Sequence, residues 1–260
     1  MLEQMVDFLV SWFSAPTIWG VCLAILFGAF WLAAYWPSLF KKPWLWAVLV
    51  GSAVLTLLAV TFIQMPLQTY TGEWFVDLFG VQGFQNHLLL MSILPVLISG
   101  LVQEGAKLVP VVVYWCRSAR NIDPKVGLAI GAIAGAGFGI FEAQWAHNMI
   151  FNSGWEWASV QTGGFLALAG FWERFFTVAF HIAASALAGY GLAKGWGWQF
   201  YLLASVLHAI VNFGIVLLQA GAVTIIQVEI YFAVVALAVT VVVLWLRWRN
   251  TEEEEAMIEV

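Results

Sequence analysis

The stretch GLAIGAIAGAGFGIFEA, residues 127–143, decides the fold class because it combines a long apolar run with glycines at helical spacing. Gly127, Gly131 and Gly135 are four residues apart, so they share one face of a helix. Small residues at this spacing let membrane helices pack closely against each other. The stretch therefore predicts a closely packed transmembrane helix and does not have the form of a phosphate-binding loop.

The composition of the whole chain also indicates a membrane protein. Of 260 residues, 63% are hydrophobic and 10% are charged, against roughly 45–50% and 25% in soluble domains. Continuous apolar runs argue against a transmembrane barrel, which needs short alternating segments. A net charge of −5 without a basic stripe argues against nucleic-acid binding. Cys22 lies early in the first apolar run and Cys116 next to the end of the third, so we expect neither a disulfide nor a thiolate metal site.

Apolar runs of about 20 residues, the length that crosses a bilayer, predict an all-α polytopic bundle of about seven spans. The runs lie at 17–36, 44–65, 87–115, 125–147, 165–193, 199–219 and 228–246. They fill a single membrane domain, residues 1–250, followed by an acidic cytoplasmic tail at 251–260. The N-terminus lacks the basic region of a signal peptide, so the first run is expected to remain as an anchor.

The basic residues between the runs predict the orientation, because Lys and Arg accumulate in short cytoplasmic loops. All eight basic residues outside the runs or at their boundaries fall on one side: Lys41, Lys42, Arg117, Arg120, Lys125, Lys194, Arg247 and Arg249. The opposite loops, around 66–86 and 148–164, contain acidic residues but no Lys or Arg. With seven spans, this pattern predicts an outside N-terminus and a cytoplasmic C-terminus.

Few ionisable side chains lie inside the runs away from their ends, and charge in a membrane is costly enough to suggest a functional site. They are Glu104, Lys107, Glu142, Glu173, Arg174, His181 and His208, and the polar Asn212 lies one helical turn after His208. Their spacing puts polar faces on four helices, which should converge on a common cavity. Depth along each run predicts that Glu104, His181 and His208 meet, with Glu142 and Glu173 in a second layer nearer the outer side. His87 and His147, at run ends, are expected to be interfacial and outside the site.

This set is compatible with peptide-bond hydrolysis in two ways. A buried carboxylate can activate water while His and Asn stabilise an oxyanion. Alternatively, Glu104, His181 and His208 could bind a divalent metal such as zinc that activates the water. Ser185, one turn after His181, lacks a clear orienting base and is expected to pack between helices. Structural roles also remain open, since Glu104 and Lys107 could form an ion pair and Arg174 could neutralise Glu142 or Glu173.

Four motifs in order resemble the CAAX-protease and bacteriocin-processing (CPBP, Abi) superfamily of intramembrane proteases, and most closely its PrsW and YhfC branches. They are QEGAK at 103–107, GFGIFEA at 137–143, ERFFTVAFHIAASALAGYG at 173–191 and HAIVN at 208–212. The resemblance covers about residues 87–215, which would form the protease-like core. Gln103 replaces the first glutamate of the family's glutamate pair, while Glu104 and Lys107 match.

The resemblance implies roles for individual residues. Glu104 would be the general base, and Glu142 would match the second glutamate motif. His181 and His208 would bind metal or polarise the carbonyl, and Asn212 would stabilise the oxyanion. Lys107, Glu173 and Arg174 would support them. The substrate would be a membrane-anchored protein or peptide, cleaved by an integral protein of a prokaryotic plasma membrane in contact with its lipids.

Two other functions would use a similar polar set. A proton-coupled transporter needs intramembrane ionisable residues, but the chain has no evident inverted repeat, and Pro95 and Pro110 both fall in the third run. A non-catalytic membrane scaffold is the other alternative, and Gln103 in place of glutamate is the feature that favours it.

Overall fold

The computed structural model describes residues 1–37 and 39–258, with side chains described as far as Arg249. These residues form helices and no strands. The α-helices are α1 Leu2–Ser11, α2 Ile18–Ala33, α3 Trp44–Ala59, α4 Met65–Asn86, α5 Leu88–Met91, α6 Ile93–Arg117, α7 Pro124–Asn152, α8 Trp157–Gly163, α9 Ala169–Ala193, α10 Gly197–Gln219 and α11 Ile225–Ile258. A π-helical turn, Val60–Gln64, joins α3 to α4, and a 3-10 turn, Gly164–Leu168, joins α8 to α9.

Six helical segments of the described chain are long and apolar enough to cross a membrane, one fewer than the seven predicted. The missing one is the first run, because α2 has 16 residues and spans only about 24 Å at about 1.5 Å per residue. The prediction of a polytopic helical bundle is confirmed. The termini lie on opposite sides of the membrane only if the number of spans is odd. The number is seven, and therefore odd, only if α2 also crosses.

Residues 66–86 were expected to form a loop, and this was wrong. They are helical, as α4, with a break at Gly80, whose φ of 69° is one that residues with a side chain rarely adopt. None of the α4 residues is buried. Polar and acidic residues lower the hydropathy of this segment, which made it look like a loop although it continues the α3 helix past the π turn.

The two helices at the centre of the bundle are α7 and α9, and glycine permits their contact. A methyl group at Gly127, Gly131 or Gly135 would lie 2.5 Å or less from a backbone oxygen of α9. The closest case is Gly135, 2.1 Å from the His181 carbonyl oxygen. The predicted close packing of the 127–143 stretch is therefore confirmed, and it brings the α7 residues that follow the glycines beside His181.

The start of α7 has the usual determinants of a helix N-terminus. The Asp123 side chain accepts hydrogen bonds from the backbone N–H groups of Lys125 and Val126, at 2.7 and 3.2 Å. Pro124 occupies the first helical position, where its missing N–H costs nothing. A rigid start at this point sets the register of the glycine face farther along the helix.

The start of α2 and the end of α7 are joined by polar contacts. Asn148 Oδ1 accepts hydrogen bonds from the backbone N–H and the hydroxyl of Thr17, both at 2.9 Å. His147 is fully buried, with Nδ1 3.3 Å from the Gly20 carbonyl oxygen. Within the bundle His147 packs against α2, because α7 continues to Asn152, and its expected place at the membrane interface stays a prediction.

The predicted acidic tail comprises residues 251–260, and only part of it lies within the described chain. The backbone of α11 is described to Ile258, whereas the tail's side chains and residues 259–260 lie outside the described residues.

Candidate active site

Glu104 of α6 forms the centre of a buried polar cluster to which α6 itself, α9 and α10 contribute side chains. Its Oε1 lies 2.5 Å from Lys107 Nζ and 2.7 Å from His208 Nδ1 of α10. Its Oε2 accepts a hydrogen bond from the Ser185 hydroxyl of α9 at 3.3 Å. Glu104, Lys107 and His208 are each at most 2% exposed. Every charge here is therefore balanced inside the protein and not by water.

His181 of α9 connects this cluster to a second carboxylate. Its Nδ1 lies 2.9 Å from Lys107 Nζ, and its Nε2 lies 3.1 Å from Glu142 Oε2 of α7. An ammonium group only donates and a carboxylate only accepts, so the contacts assign the tautomer with the proton on Nε2. By the same reasoning His208 carries a proton on Nδ1, which it donates to Glu104.

The second layer of charge lies around Arg174 of α9. Its guanidinium donates to Glu142 Oε2 at 3.0 Å and also forms an ion pair with the neighbouring Glu173. These three side chains are 15–23% exposed, more than the Glu104 cluster. The structural role considered for Arg174, neutralising Glu142 and Glu173, is observed, as is the Glu104–Lys107 ion pair.

Asn212 reaches the site from one turn beyond His208 and is held by a chain of polar side chains. Its Nδ2 donates to Ser99 Oγ of α6 at 2.7 Å. The same hydroxyl lies 3.2 Å from Gln103 Nε2, which also donates to Gln64 Oε1 at 3.0 Å. Gln103 thus points toward the π turn that contains Gln64.

A small enclosed cavity of about 70 Å³ adjoins these groups. It is lined by Glu142, Glu173, Arg174, Thr177, Phe180, His181, His208, Val211, Asn212, Ile215 and Phe232. Since one water molecule takes up about 30 Å³ of liquid, the space suits about two waters beside polar partners. Glu104 is not among the lining residues and lies behind the two histidines.

Aromatic rings close the apolar side of the site. The Phe138 ring meets the His181 ring edge to face at 5.4 Å, and the Phe180 ring meets the His208 ring at 5.7 Å. The two imidazole centroids are 5.2 Å apart. This packing restricts the orientation of both imidazoles.

Glu104, His181 and His208 form the group in the described chain that could hold a metal ion. One ligand atom from each lies within 4.8 Å of the others, and all three residues are buried. One carboxylate and two imidazoles are a ligand set typical of catalytic zinc sites, which keep a further position open. The Glu142 contact of His181 also fits, because a metal-binding His usually donates its other N–H to a carboxylate. The residues therefore fit a divalent metal.

All eight side chains that the sequence singled out come together in this region. Among the histidines left aside, His87 is exposed at the junction of α4 and α5, and His147 is buried against α2. Sequence reasoning missed Ser99 and Gln64, and it assigned Ser185 only to helix packing. Ser185 follows His181 by four residues and Ser99 precedes Gln103 by four, so helical spacing alone was a signal for both.

The fold and the site together define a polytopic helical membrane protein with a buried Glu/His/His group beside a small polar cavity. A sequence model of the PrsW family intramembrane metalloprotease matches residues 42–245. The chain belongs to this family, and it is an intramembrane protease. The PrsW part of the resemblance is thereby confirmed, while the CAAX-protease superfamily and the YhfC branch stay predictions. Comparisons with curated proteins and with solved structures find no match.

Proposed function

We propose that the protein hydrolyses a peptide bond of a membrane-anchored protein, with Glu104, His181 and His208 holding a divalent metal such as zinc. The observation that carries this proposal is that ligand atoms of these three buried residues lie within 4.8 Å of one another. They come from three helices, next to a cavity large enough for water. In this proposal Glu104 is a ligand and not the sole base.

When bound, the metal would supply Lewis acidity that polarises the scissile carbonyl and makes water a better nucleophile. Glu142 is the carboxylate suited to accept the water's proton, because it lines the cavity and is more exposed than Glu104. Arg174 holds the Glu142 carboxylate in place through a hydrogen bond of 3.0 Å. Glu173 shares that guanidinium and so has a supporting role.

Asn212 is the proposed donor to the oxyanion. One hydrogen of its Nδ2 is used by Ser99, which leaves the second hydrogen for the cavity that Asn212 lines. A fixed amide donor aimed at developing negative charge lowers the barrier of acyl transfer. Ser99, which also accepts a hydrogen bond from Gln103, holds this amide in place.

The family membership favours the protease over the transporter and the scaffold. Gln103, the feature that favoured the scaffold, makes no contact with the Glu104 carboxylate and instead bonds Ser99 and Gln64. Its replacement of glutamate therefore leaves the proposed ligand set complete. A prokaryotic plasma membrane stays our expectation for where the protein works.

The proposal is tested by measuring metal content and cleavage on the same proteins. Purified wild type, washed and reloaded with zinc, should contain close to one zinc per chain, and His181→Ala and His208→Ala should contain almost none. Membranes of cells expressing the wild type should yield new protein N-termini, detected by N-terminal labelling and mass spectrometry, that are absent with Glu142→Gln.

The matched control is His87→Ala, which removes an exposed imidazole outside the site and should behave as wild type. Each variant must elute and unfold like wild type before comparison. Zinc bound at the same stoichiometry by the wild type and both site variants, or identical N-termini with Glu142→Gln, would contradict the proposal.

A further inference from the structure

The position of Lys107 has a consequence for metal binding that the ligand set alone does not suggest. Its Nζ lies 2.5 Å from Glu104 Oε1 and 2.9 Å from His181 Nδ1. Both acceptors belong to the three residues that could hold a metal. The side chain is fully buried, so its ammonium group has these two atoms as its polar partners and no water to replace them.

We infer that the Lys107 ammonium and a divalent metal are alternative occupants of one cation position between Glu104 and His181, so that Lys107 weakens metal binding. The inference rests on the metal site proposed above. It assigns Lys107 a role that an ordinary helical ion pair would not have.

The first reason is that both cations need the same lone pairs. A metal bound through Glu104 Oε1 and His181 Nδ1 would use the two atoms to which Lys107 donates. The tautomer assigned to His181 leaves Nδ1 as the nitrogen with a lone pair, because Nε2 donates to Glu142. The ammonium therefore has to give up two hydrogen bonds before a metal can take these ligands.

The second reason is distance. A metal bonded to Glu104 Oε1 at about 2.2 Å would be at most about 4.7 Å from Lys107 Nζ, since the oxygen and the nitrogen are 2.5 Å apart. Charges of +2 and +1 at that separation in a buried site repel strongly. Lys107 must withdraw its side chain for the metal to bind, and its flexible four-carbon stem allows this.

The third reason is the local charge. Glu104 is the carboxylate that touches Lys107, and it balances one positive charge only. The next carboxylate, Glu142, is already shared by Arg174 and His181. Adding a divalent ion while Lys107 stays in place would leave an excess of positive charge in a buried cluster.

The test is the zinc dissociation constant of chelator-stripped protein in detergent, measured by competition with a chromophoric chelator. We expect Lys107→Met, which keeps the length and removes the charge, to bind zinc at least tenfold more tightly than wild type. Lys107→Arg retains a cation and should bind no more tightly than wild type. Cobalt should rank the wild type and the Lys107 variants in the same order of affinity as zinc does. Bound cobalt should produce the visible absorption bands of a low-symmetry site with nitrogen and oxygen ligands.

The matched control is Lys194→Met, which makes the same charge change about 20 Å along α9 from His181, at about 1.5 Å per residue, and should leave the zinc affinity unchanged. If Lys107→Met does not fold, Lys107→Gln offers a neutral polar replacement with the same expectation. If neither neutral variant folds, tighter zinc binding by Lys107→Arg than by wild type would overturn the inference.

Unchanged or weaker zinc binding by a folded Lys107→Met or Lys107→Gln, with binding lost in His208→Ala, would overturn the inference and leave the proposed metal site intact. Absence of zinc binding in every protein, including the neutral variants, would overturn it together with the metal site. Proteolysis is measured separately by the N-terminal labelling. A failure of the proposed protease function can therefore be distinguished from a failure of the Lys107 inference and from a failure of the metal site. Zinc binding by a neutral variant where wild type binds none would support the inference.

Discussion

Glu142 joins the buried Glu104 cluster to the charged layer around Arg174, because it contacts a residue of each. Its Oε2 accepts from both Arg174, at 3.0 Å, and His181, at 3.1 Å. The orientation of the His181 ring therefore depends on a guanidinium that does not contact it. Arg174 acts as a positioning residue here, because its effect on the cavity passes through Glu142.

We expect Arg174→Met to destabilise the protein by about 3 kcal/mol or more, because it leaves Glu142 and Glu173 as uncompensated, largely buried charges. Thermal unfolding in detergent measures the change. The double variant Arg174→Met with Glu142→Gln should recover part of the loss, since one of the two stranded charges is removed. An unfolding temperature of Arg174→Met equal to that of wild type would show that the ion pairs of Arg174 with Glu142 and Glu173 contribute no stability.

At the scale of elements, the α7–α9 contact fixes the site. Glu142 and His181 can be neighbours only because the glycine face of α7 lets the two helix backbones approach closely. The Ser52 hydroxyl of α3 donates to the Ala134 carbonyl oxygen at 2.6 Å on another side of α7. Contacts on both sides leave α7 little freedom to shift.

We expect Gly135→Ala to lower stability by about 1–3 kcal/mol and to weaken zinc binding, because the added methyl would lie 2.1 Å from the His181 carbonyl oxygen. Thermal unfolding and the zinc dissociation constant measure the two effects. Gly51→Ala in α3 is the matched control, since nothing lies within 4 Å of its added methyl. Equal stability of the two variants would contradict the role of the glycine face.

At the scale of the whole molecule, the orientation of the chain in the membrane depends on the charges of its loops and on the number of helices that cross. The basic residues outside the spans predict which loops are cytoplasmic, whereas the side of the N-terminus depends on whether α2, with 16 residues, crosses the membrane. α2 is bounded by Thr17, which caps it through the Gly20 N–H at 3.0 Å. The side of the membrane on which α1 lies shows whether α2 crosses, because α1 directly precedes α2 in the chain.

Labelling of single cysteines with a membrane-impermeant maleimide measures the orientation directly, in a background where Cys22 and Cys116 are replaced by Ser. We expect Glu156→Cys to be labelled from outside and Lys194→Cys from the cytoplasmic side. Glu3→Cys should be labelled from outside if α2 crosses. Labelling of Glu3→Cys and Lys194→Cys from the same side would show that the chain has an even number of crossings.

Much of the architecture could be predicted from local properties of the sequence. The helical class, most span positions and the close packing of residues 127–143 follow from hydropathy and four-residue glycine spacing. The α4 helix could not be predicted in this way, because its polar residues resemble a loop and its helicity continues from α3 through a π turn. The burial of His147 depends on α2, which approaches it from 127 residues away in the chain.

The sequence by itself determined that a few ionisable side chains lie inside apolar helices, and the cost of charge in a membrane made them a functional set. Only the tertiary structure decided their pairing. Lys107 meets His181 across 74 residues, Glu104 meets His208 across 104, and His181 meets Glu142 across 39. Hydropathy and periodicity describe one helix at a time, whereas these contacts depend on how close the helices pack and how each is rotated.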